Sequence, residues 1–268
     1  MTAPIDGSGT ARARCVLAPN PSLMTLDGTN TWIIAEPGSP SAVIVDPGPA
    51  DEAHLRRVAG IATAEDRIVK TIVLTHGHPD HSAGAKRLAE LTAAPVLAAD
   101  PAHRLNSAGL APGDTITTAG CAIEVVPTPG HSADSVSFLI PADNVLLTGD
   151  TVLGRGTTVI AGDGNLGDYL RSLDRLRTLA NGLTALLPGH GPVLPNPVET
   201  LDYYIAHRKE RLAEITAALA AGDRTPAGIV ARVYANVDPE LWPFAQWSVR
   251  AQLEYLAERN ELPPGVQL

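Results

Sequence analysis

Between residues 76 and 190, five of the eight histidines gather in three short segments: His76-Gly77-His78-Pro79-Asp80-His81, Pro129-Gly130-His131 and Pro188-Gly189-His190. Asp150 lies between the last two. A histidine at i and another at i+2 cannot share one face of an α-helix, but both can reach a common point from a strand end or the loop after it. Val69 to Leu74 reads as that strand, and Pro79 favours the start of a helix immediately afterwards. Ligands of open α/β sheets sit beyond the strands' C-terminal edges, so the motif and its context agree. Any one of these residues taken singly could cap a turn or pair with a carboxylate. A group of seven at Gly and Pro turns after strands points instead to a shared metal site.

The rest of the chain alternates strands and helices up to about residue 197. Apolar, β-branched runs at Thr31 to Ala35, Ala42 to Asp46, Val69 to Leu74, Ala122 to Val126, Ser135 to Ile140 and Val145 to Thr148 read as strands. Asp51 to Ala62, Ser82 to Leu91 and Leu166 to Leu179 read as helices, the last with leucines spaced along one face. This order predicts an α/β layered architecture. After Pro197 the pattern turns wholly helical: Val198 to Ala221, Thr225 to Tyr234 and Leu241 to Glu258. The expected division is a catalytic domain over residues 1–200 and a small helical, winged-helix-like domain over 201–268.

Composition narrows the function. At 268 residues, 44 % hydrophobic and 18 % charged, the chain can bury one large core. Twenty basic against 29 acidic residues give a formal net charge of −9, which argues against non-specific polyanion binding. No apolar run reaches signal-peptide or membrane-span length, so no membrane association and a cytoplasmic location are the expectation. Cys15 and Cys121 lie outside every metal-like segment and read as free structural thiols.

Neutral imidazoles and carboxylates suit zinc, with iron or manganese as alternatives. Three histidines could make one site, Asp80, His81 and His190 a second, with Asp150 bridging. Two divalent ions sharing a bridging water would lower its pKa enough to leave a metal-bridging hydroxide available near neutral pH. That nucleophile attacks an electrophilic carbonyl or phosphorus without help from a protein nucleophile. Asp80 could act as a ligand, orient the attacking water, or both, which makes it the candidate catalytic residue.

Thr75 to His81, Thr128-Pro129-Gly130-His131-Ser132, Thr148-Gly149-Asp150-Thr151 and Pro188-Gly189-His190-Gly191 together resemble the metallo-β-lactamase superfamily over roughly residues 20 to 195. The resemblance implies an αββα sandwich with two metals at one edge between the sheets. Carried over, His76, His78 and His131 would hold the first ion, Asp80, His81 and His190 the second, and Asp150 both. An aspartate at the bridging position is similar to the glyoxalase II and RNA-processing branches, so β-lactam hydrolysis is not the expected activity. The segments Asn20-Pro21 to Gly28-Thr29-Asn30-Thr31 and Tyr204-Ile205-Ala206-His207-Arg208 are similar to the lactamase-beta-2-like branch, whose members carry a C-terminal winged-helix-like domain. Asp46 resembles the supporting aspartate of the superfamily, although a turn-former there is equally expected.

The remaining histidines divide. His54 and His103 read as solvent-facing. His207, beside Arg208, Lys209 and Arg211, could contact an anionic substrate group, although a charge run on a helix is more often a solvated face. Met24 to Asn30 could form a loop at the mouth of the site, with Leu23, Leu26 or Trp32 shaping a pocket, although a tryptophan inside an apolar strand is more often core.

These features leave a dinuclear hydrolase of single-stranded RNA or of a small ester or thioester as the leading reading. A glyoxalase II-like thioesterase is one alternative. A nucleic-acid or protein-binding module with structural metal is another, and a homodimer through the C-terminal helices stays open. A nuclease needs cationic and aromatic side chains along a groove, yet residues 206–268 carry seven Lys or Arg against eight Asp or Glu. Structural zinc usually closes its coordination with cysteine, and neither cysteine is placed to do so.

Overall fold

Period-two alternation within the strands sorts the apolar side chains into layers. In the computed structural model, which describes residues 4–118 and 120–268, ten strands form two five-stranded sheets. The first runs β1 (Ala13–Leu17), β2 (Asn30–Ile34), β3 (Ser41–Val45), β4 (Ile68–Val73) and β5 (Val96–Leu97) in spatial order. The first three of these strands are antiparallel, and β3, β4 and β5 are parallel. The second is an antiparallel meander of β6 (Thr115–Thr118), β7 (Cys121–Pro127), β8 (Val136–Ile140) and β9 (Val145–Gly149), with β10 (Ala185–Pro188) added parallel to β9.

Between the sheets lie Trp32, Ile34, Val43, Val45 and Val73 from one side and Ile123, Phe138, Ile140, Leu147 and Leu187 from the other. The intervening residues Ile33, Ala42, Ile44 and Ile72 face outward, under helices α1 (Glu52–Ala62) and α3 (Ala85–Thr92). On the far side Leu146 and Leu186 meet α4 (Leu166–Leu179) and the first half of α5 (Pro197–Ala220). The architecture is the expected αββα sandwich. Helix starts follow their capping residues: Asp51 accepts from the His54 amide and Asn165 from that of Asp168.

The second half of α5 enters a separate apolar cluster. Ile215, Ala218 and Leu219 pack there with Ile229 and Val230 of α6 (Pro226–Val233) and with Val249, Leu253 and Leu256 of α7 (Trp242–Glu258). One helix thus belongs to two cores, with Leu201 and Tyr204 in the sandwich cluster. Among the described residues, no helix is long and apolar enough to cross a membrane. Cys15 and Cys121 are free and buried in the inter-sheet core.

Two expectations need correction. The helix expected over Ser82 to Leu91 is instead two: α2 (Pro79–Ser82) and α3, separated by Ala83 and Gly84. A side chain at Gly84 would come within 2.7 Å of Leu55 and 3.0 Å of the Gly48 and Pro49 carbonyl oxygens, so the chain bends where α1 crosses it. His54 is not solvent-facing but 3 % exposed, with Nε2 3.0 Å from Thr31 Oγ1. The start of α1 turns this ring inward, onto β2.

The N-terminal strand is pinned by charge. Arg12 pairs with both Glu36 and Asp143, and Thr10 donates its hydroxyl to Asp143. Burial pushes the Asp143 carboxyl up, but the Thr10 and Arg12 hydrogen bonds outweigh it and leave the group below its ordinary value of 3.8. A depressed carboxylate stabilises the fold above its unfolded pKa, and that stabilisation is lost as pH falls through the lower folded value. Asp143→Asn is therefore expected to lower stability at neutral pH and to flatten the loss of stability below about pH 4, as read by urea unfolding at stepped pH. An unchanged acid limb would count against this pairing.

Candidate metal centre

The three histidine segments meet at one edge of the sandwich, each just beyond a strand. His76, His78 and His81 follow β4, His131 follows β7, Asp150 follows β9 and His190 follows β10. Both sheets therefore contribute. Three sets have their ligand-type atoms within 4.8 Å of one another: His76, His78 and His131; His76, His81 and Asp150; and Asp80, His81 and His190. All seven residues singled out by the sequence pattern are brought together.

Distances within the cluster are short. His78 Nδ1 lies 3.0 Å from both His76 Nε2 and His131 Nε2, and His81 Nε2 lies 3.2 Å from His190 Nε2. Asp80 Oδ2 is 3.1 Å from His190 Nε2 and 3.4 Å from His81 Nε2. Asp150 reaches three rings, with Oδ1 3.4 Å from His81 Nε2 and Oδ2 3.2 Å from His190 Nε2 and 3.7 Å from His131 Nε2. Gly189 permits this approach, because a Cβ there would lie 2.4 Å from Asp150 Oδ1. At Gly130, φ is +135° and a Cβ would strike the Tyr169 backbone at 2.3 Å, so a larger residue would displace the His131 turn.

The outward-facing nitrogens are held by a second set of groups. Asp46, at φ 52°, accepts from the Thr75 amide and hydroxyl, both at 2.7 Å, and from His81 Nδ1 at 2.8 Å. Because the Thr75 hydroxyl proton goes to Asp46, its oxygen accepts from His76 Nδ1 at 2.9 Å. His131 Nδ1 donates to the Val159 carbonyl at 2.9 Å and His190 Nδ1 to that of Gly28 at 3.1 Å. Four rings thus direct Nε2 into the cluster. Asp46, left open between turn-former and support by sequence, fixes both the loop and the His81 ring.

The donor set fits divalent cations. With their N–H groups committed outward, the neutral His76 and His131 rings turn lone pairs toward His78 Nδ1, and at most one of those contacts can be bridged by a proton. A cation among the three removes that repulsion. Asp150 Oδ1 is buried with no hydrogen-bond partner, as a carboxylate awaiting an electrophile would be. Outward Nδ1–H groups given to carboxylate or carbonyl acceptors are how metal-bound imidazoles are oriented.

Electrostatics agree. Burial pulls His81 down, but Asp150, Asp46 and Asp80 outweigh it and raise the ring well above the ordinary imidazole range. Against the same burial, Asp150 and Asp80 bring His190 up to about 9. Burial would raise Asp80 and Asp150, yet the neighbouring histidines hold both well below the carboxylate range. His76, by burial and then by His81, is pushed down, and burial lowers His131. The acidic half of the cluster draws positive charge and the histidine half offers neutral nitrogen.

Two cavities open from the cluster. One, of about 430 Å³, is lined by His78, Asp80 and His190 together with Met24 and Trp247. The other, of about 360 Å³, runs from His131 and Asp150 between Leu23, Leu26 and Leu153 to Tyr234 and Phe244 of the C-terminal helices. Of the loop expected over Met24 to Asn30, Met24, Thr25 and Leu26 line these cavities, and Leu23 joins them. Trp32 is not in this wall: it is 2 % exposed in the core, its indole N–H donating to the Pro188 carbonyl at 3.1 Å. Sequence reasoning missed Tyr169 and Thr158, whose contacts to the site cross the fold and leave no local signature.

An αββα sandwich with a His/Asp cluster of metal-binding chemistry at one edge defines the class. The chain belongs to the metallo-beta-lactamase superfamily, whose model matches residues 24–190, and a beta-lactamase associated winged helix domain matches residues 225–261. The "Beta-lactamase-like protein 2 homolog" of Drosophila melanogaster is 32 % identical over 266 residues, covering 92 % of this chain and 88 % of its own. An Aspergillus fumigatus protein named "Atrochrysone carboxyl ACP thioesterase" is 32 % identical over 211 residues, or 76 % of this chain and 64 % of that one. Among solved structures, a beta-lactamase domain protein from Burkholderia ambifaria superposes with a TM-score of 0.81 at 25 % identity, covering 99 % of this chain and 94 % of that chain.

Proposed function

We propose that the cluster holds two divalent ions, zinc by its donor chemistry, and that the protein hydrolyses small acyl esters or thioesters. The observation that carries this reading is the cavity that contains His131 and Asp150 and whose lining is largely apolar. Leu23, Leu26, Leu153 and Phe244 suit an acyl body and offer no row of exposed aromatics for stacking bases. The relative named as an acyl carrier protein thioesterase supports it. When bound, such ions supply an activated water and stabilise charge developing on the substrate's acyl oxygen.

The chain's own residues do the remainder. His76, His78 and His131 would hold one ion and Asp80, His81 and His190 the other, with Asp150 reaching both groups. Asp80, 29 % exposed at its side chain, is the carboxylate open to the cavity beside His78 and His190 and can orient water by accepting its hydrogen bond. Leu23, Met24 and Leu26 exclude bulk water on one side. Residues 1–200 are the catalytic unit in this reading, and 201–268 close the cavity's far wall. Structural metal is disfavoured because both cysteines are buried in the inter-sheet core.

The test is turnover of a neutral acyl thioester by the zinc-loaded protein, with single-stranded RNA in parallel and Asp80→Ala as control. Thioester cleavage lost in the variant is expected. RNA cleavage without thioester cleavage would move the protein to the nucleases and overturn the proposal. Asp46→Ala should weaken zinc binding by about 10- to 100-fold, the usual cost of losing a group that orients a ligand. Competition with a chromogenic chelator measures this, and an unchanged affinity would deny Asp46 that role.

A further inference from the structure

We propose that the α5 wall of the cavity running from His131 and Asp150 to Tyr234 is an anion-recognition site centred on Arg208, so that the preferred substrate is an acyl ester or thioester carrying a second anionic group. This rests on the hydrolase reading only in naming the substrate. Arg208 is 5 % exposed and lines the cavity that contains His131 and Asp150. One of its terminal nitrogens donates to the Thr158 carbonyl, and its guanidinium lies 4.9 Å from the centre of the Tyr169 ring. Its Nε is buried with no hydrogen-bond partner. Among the described residues no carboxylate pairs with it, and a carbonyl and a ring face do not neutralise a cation.

A buried charge without a counter-charge is costly. It is retained most readily where a ligand supplies the opposite sign. Two neighbours on the same helix face the same cavity: His207, whose Nδ1 is also buried and unpartnered, and Arg211. Arg211 shares its Nη1 between Glu214 and the Val233 carbonyl, so its charge is partly met. Arg208 Nε is therefore an unmet donor, and His207 Nδ1 an unpartnered ring nitrogen beside it on α5. Leu23, Leu26 and Phe244 line the same cavity, which makes it amphipathic: apolar and cationic side chains share it with His131 and Asp150 of the metal cluster. A carboxylate or a phosphate joined to an aliphatic chain satisfies all three.

A rival account makes Arg208 purely a brace. It holds Thr158, whose hydroxyl lies 3.1 Å from His131 Nδ1, and the next carbonyl, of Val159, accepts from the same nitrogen. A brace would not discriminate between ligands by charge. The measurement is calorimetric binding to the full-length metal-loaded protein of adipate, hexanoate and 6-phosphohexanoate. Hexanoate reports one carboxylate, which the metals can take. The additional anion of the other two reports the α5 wall, and adipate against 6-phosphohexanoate separates carboxylate from phosphate preference.

At least one of the two compounds with a second anionic group is expected to bind about tenfold or more tightly than hexanoate, the value of one charge-assisted hydrogen-bonded contact. In Arg208→Met that gap should fall below about threefold. Because Arg208→Met could fail to fold, the double variant His207→Gln, Arg211→Gln is measured alongside and should narrow the gap. No gap in the wild-type protein, or a gap that survives in whichever variants fold, overturns the proposal. Hydrolysis of neutral thioesters without the gap would sink the anion site alone. A gap dependent on Arg208 in a protein that cleaves no thioester would sink the hydrolase reading alone.

Discussion

Asp150→Asn is expected to reduce bound zinc from two ions per chain to one or fewer and thioester turnover by about 10³-fold, the several kcal/mol a metal supplies at tenfold per 1.4 kcal/mol. Asp150 is the group placed to serve both halves of the cluster: its two oxygens lie within 3.7 Å of His81, His131 and His190. The amide keeps the shape but loses the negative charge and turns a donor toward imidazole nitrogens. Folding should survive, because Asp150 sits at the sandwich edge and none of the core clusters includes it. Elemental analysis and a neutral thioester assay decide it. Full metal content together with wild-type turnover would show that the cluster is not a dinuclear catalytic centre.

Leu253→Ala is expected to destabilise the C-terminal helices by about 2–5 kcal/mol, the range for a fully buried leucine cut back to alanine. Leu253 is fully buried in the cluster that joins α7 to α6 and the end of α5. Tyr234 packs against that cluster and α7 carries Phe244, and both line the cavity that contains His131 and Asp150. The variant should therefore keep its zinc, lose thermal stability and show a raised KM for acyl thioesters with little change in kcat. Differential scanning calorimetry and chain-length kinetics separate these effects. A change in kcat with KM intact would mean that the C-terminal helices act on the cluster rather than on the acyl body.

The site was legible because its chemistry is local. His76-Gly77-His78-Pro79-Asp80-His81 announces both its residue types and the strand-to-helix turn that presents them, and Pro-Gly-His does the same twice more. The buried central strands were legible for a related reason, since runs such as Ala42 to Asp46 are apolar on both faces. The strands missed are β1, β5, β6 and β10. All four end a sheet, and two are also short: β5 has two residues, and β6 is Thr-Ile-Thr-Thr. Ala185 to Pro188 merged with the histidine motif that follows it. Arg208 was obscured by its neighbours. Lys209 and Glu210 are exposed, so the run reads as a solvated face, and the contact of α5 with Tyr169 that buries Arg208 is decided by packing between helices.

The cluster draws His76, His78, Asp80 and His81 from one sheet's edge and His131, Asp150 and His190 from the other's. Ions held there would act as rivets between two half-shells, adding to the hydrogen bonds that Asn30 and Trp32 already make to the Pro188 carbonyl across that rim. Cohesion of the shell and supply of metal then become one thermodynamic variable, since a ligand taken up only by the folded form deepens the folded well as its free concentration rises. Where such ions are scarce, the margin of stability would shrink together with whatever chemistry the cluster carries.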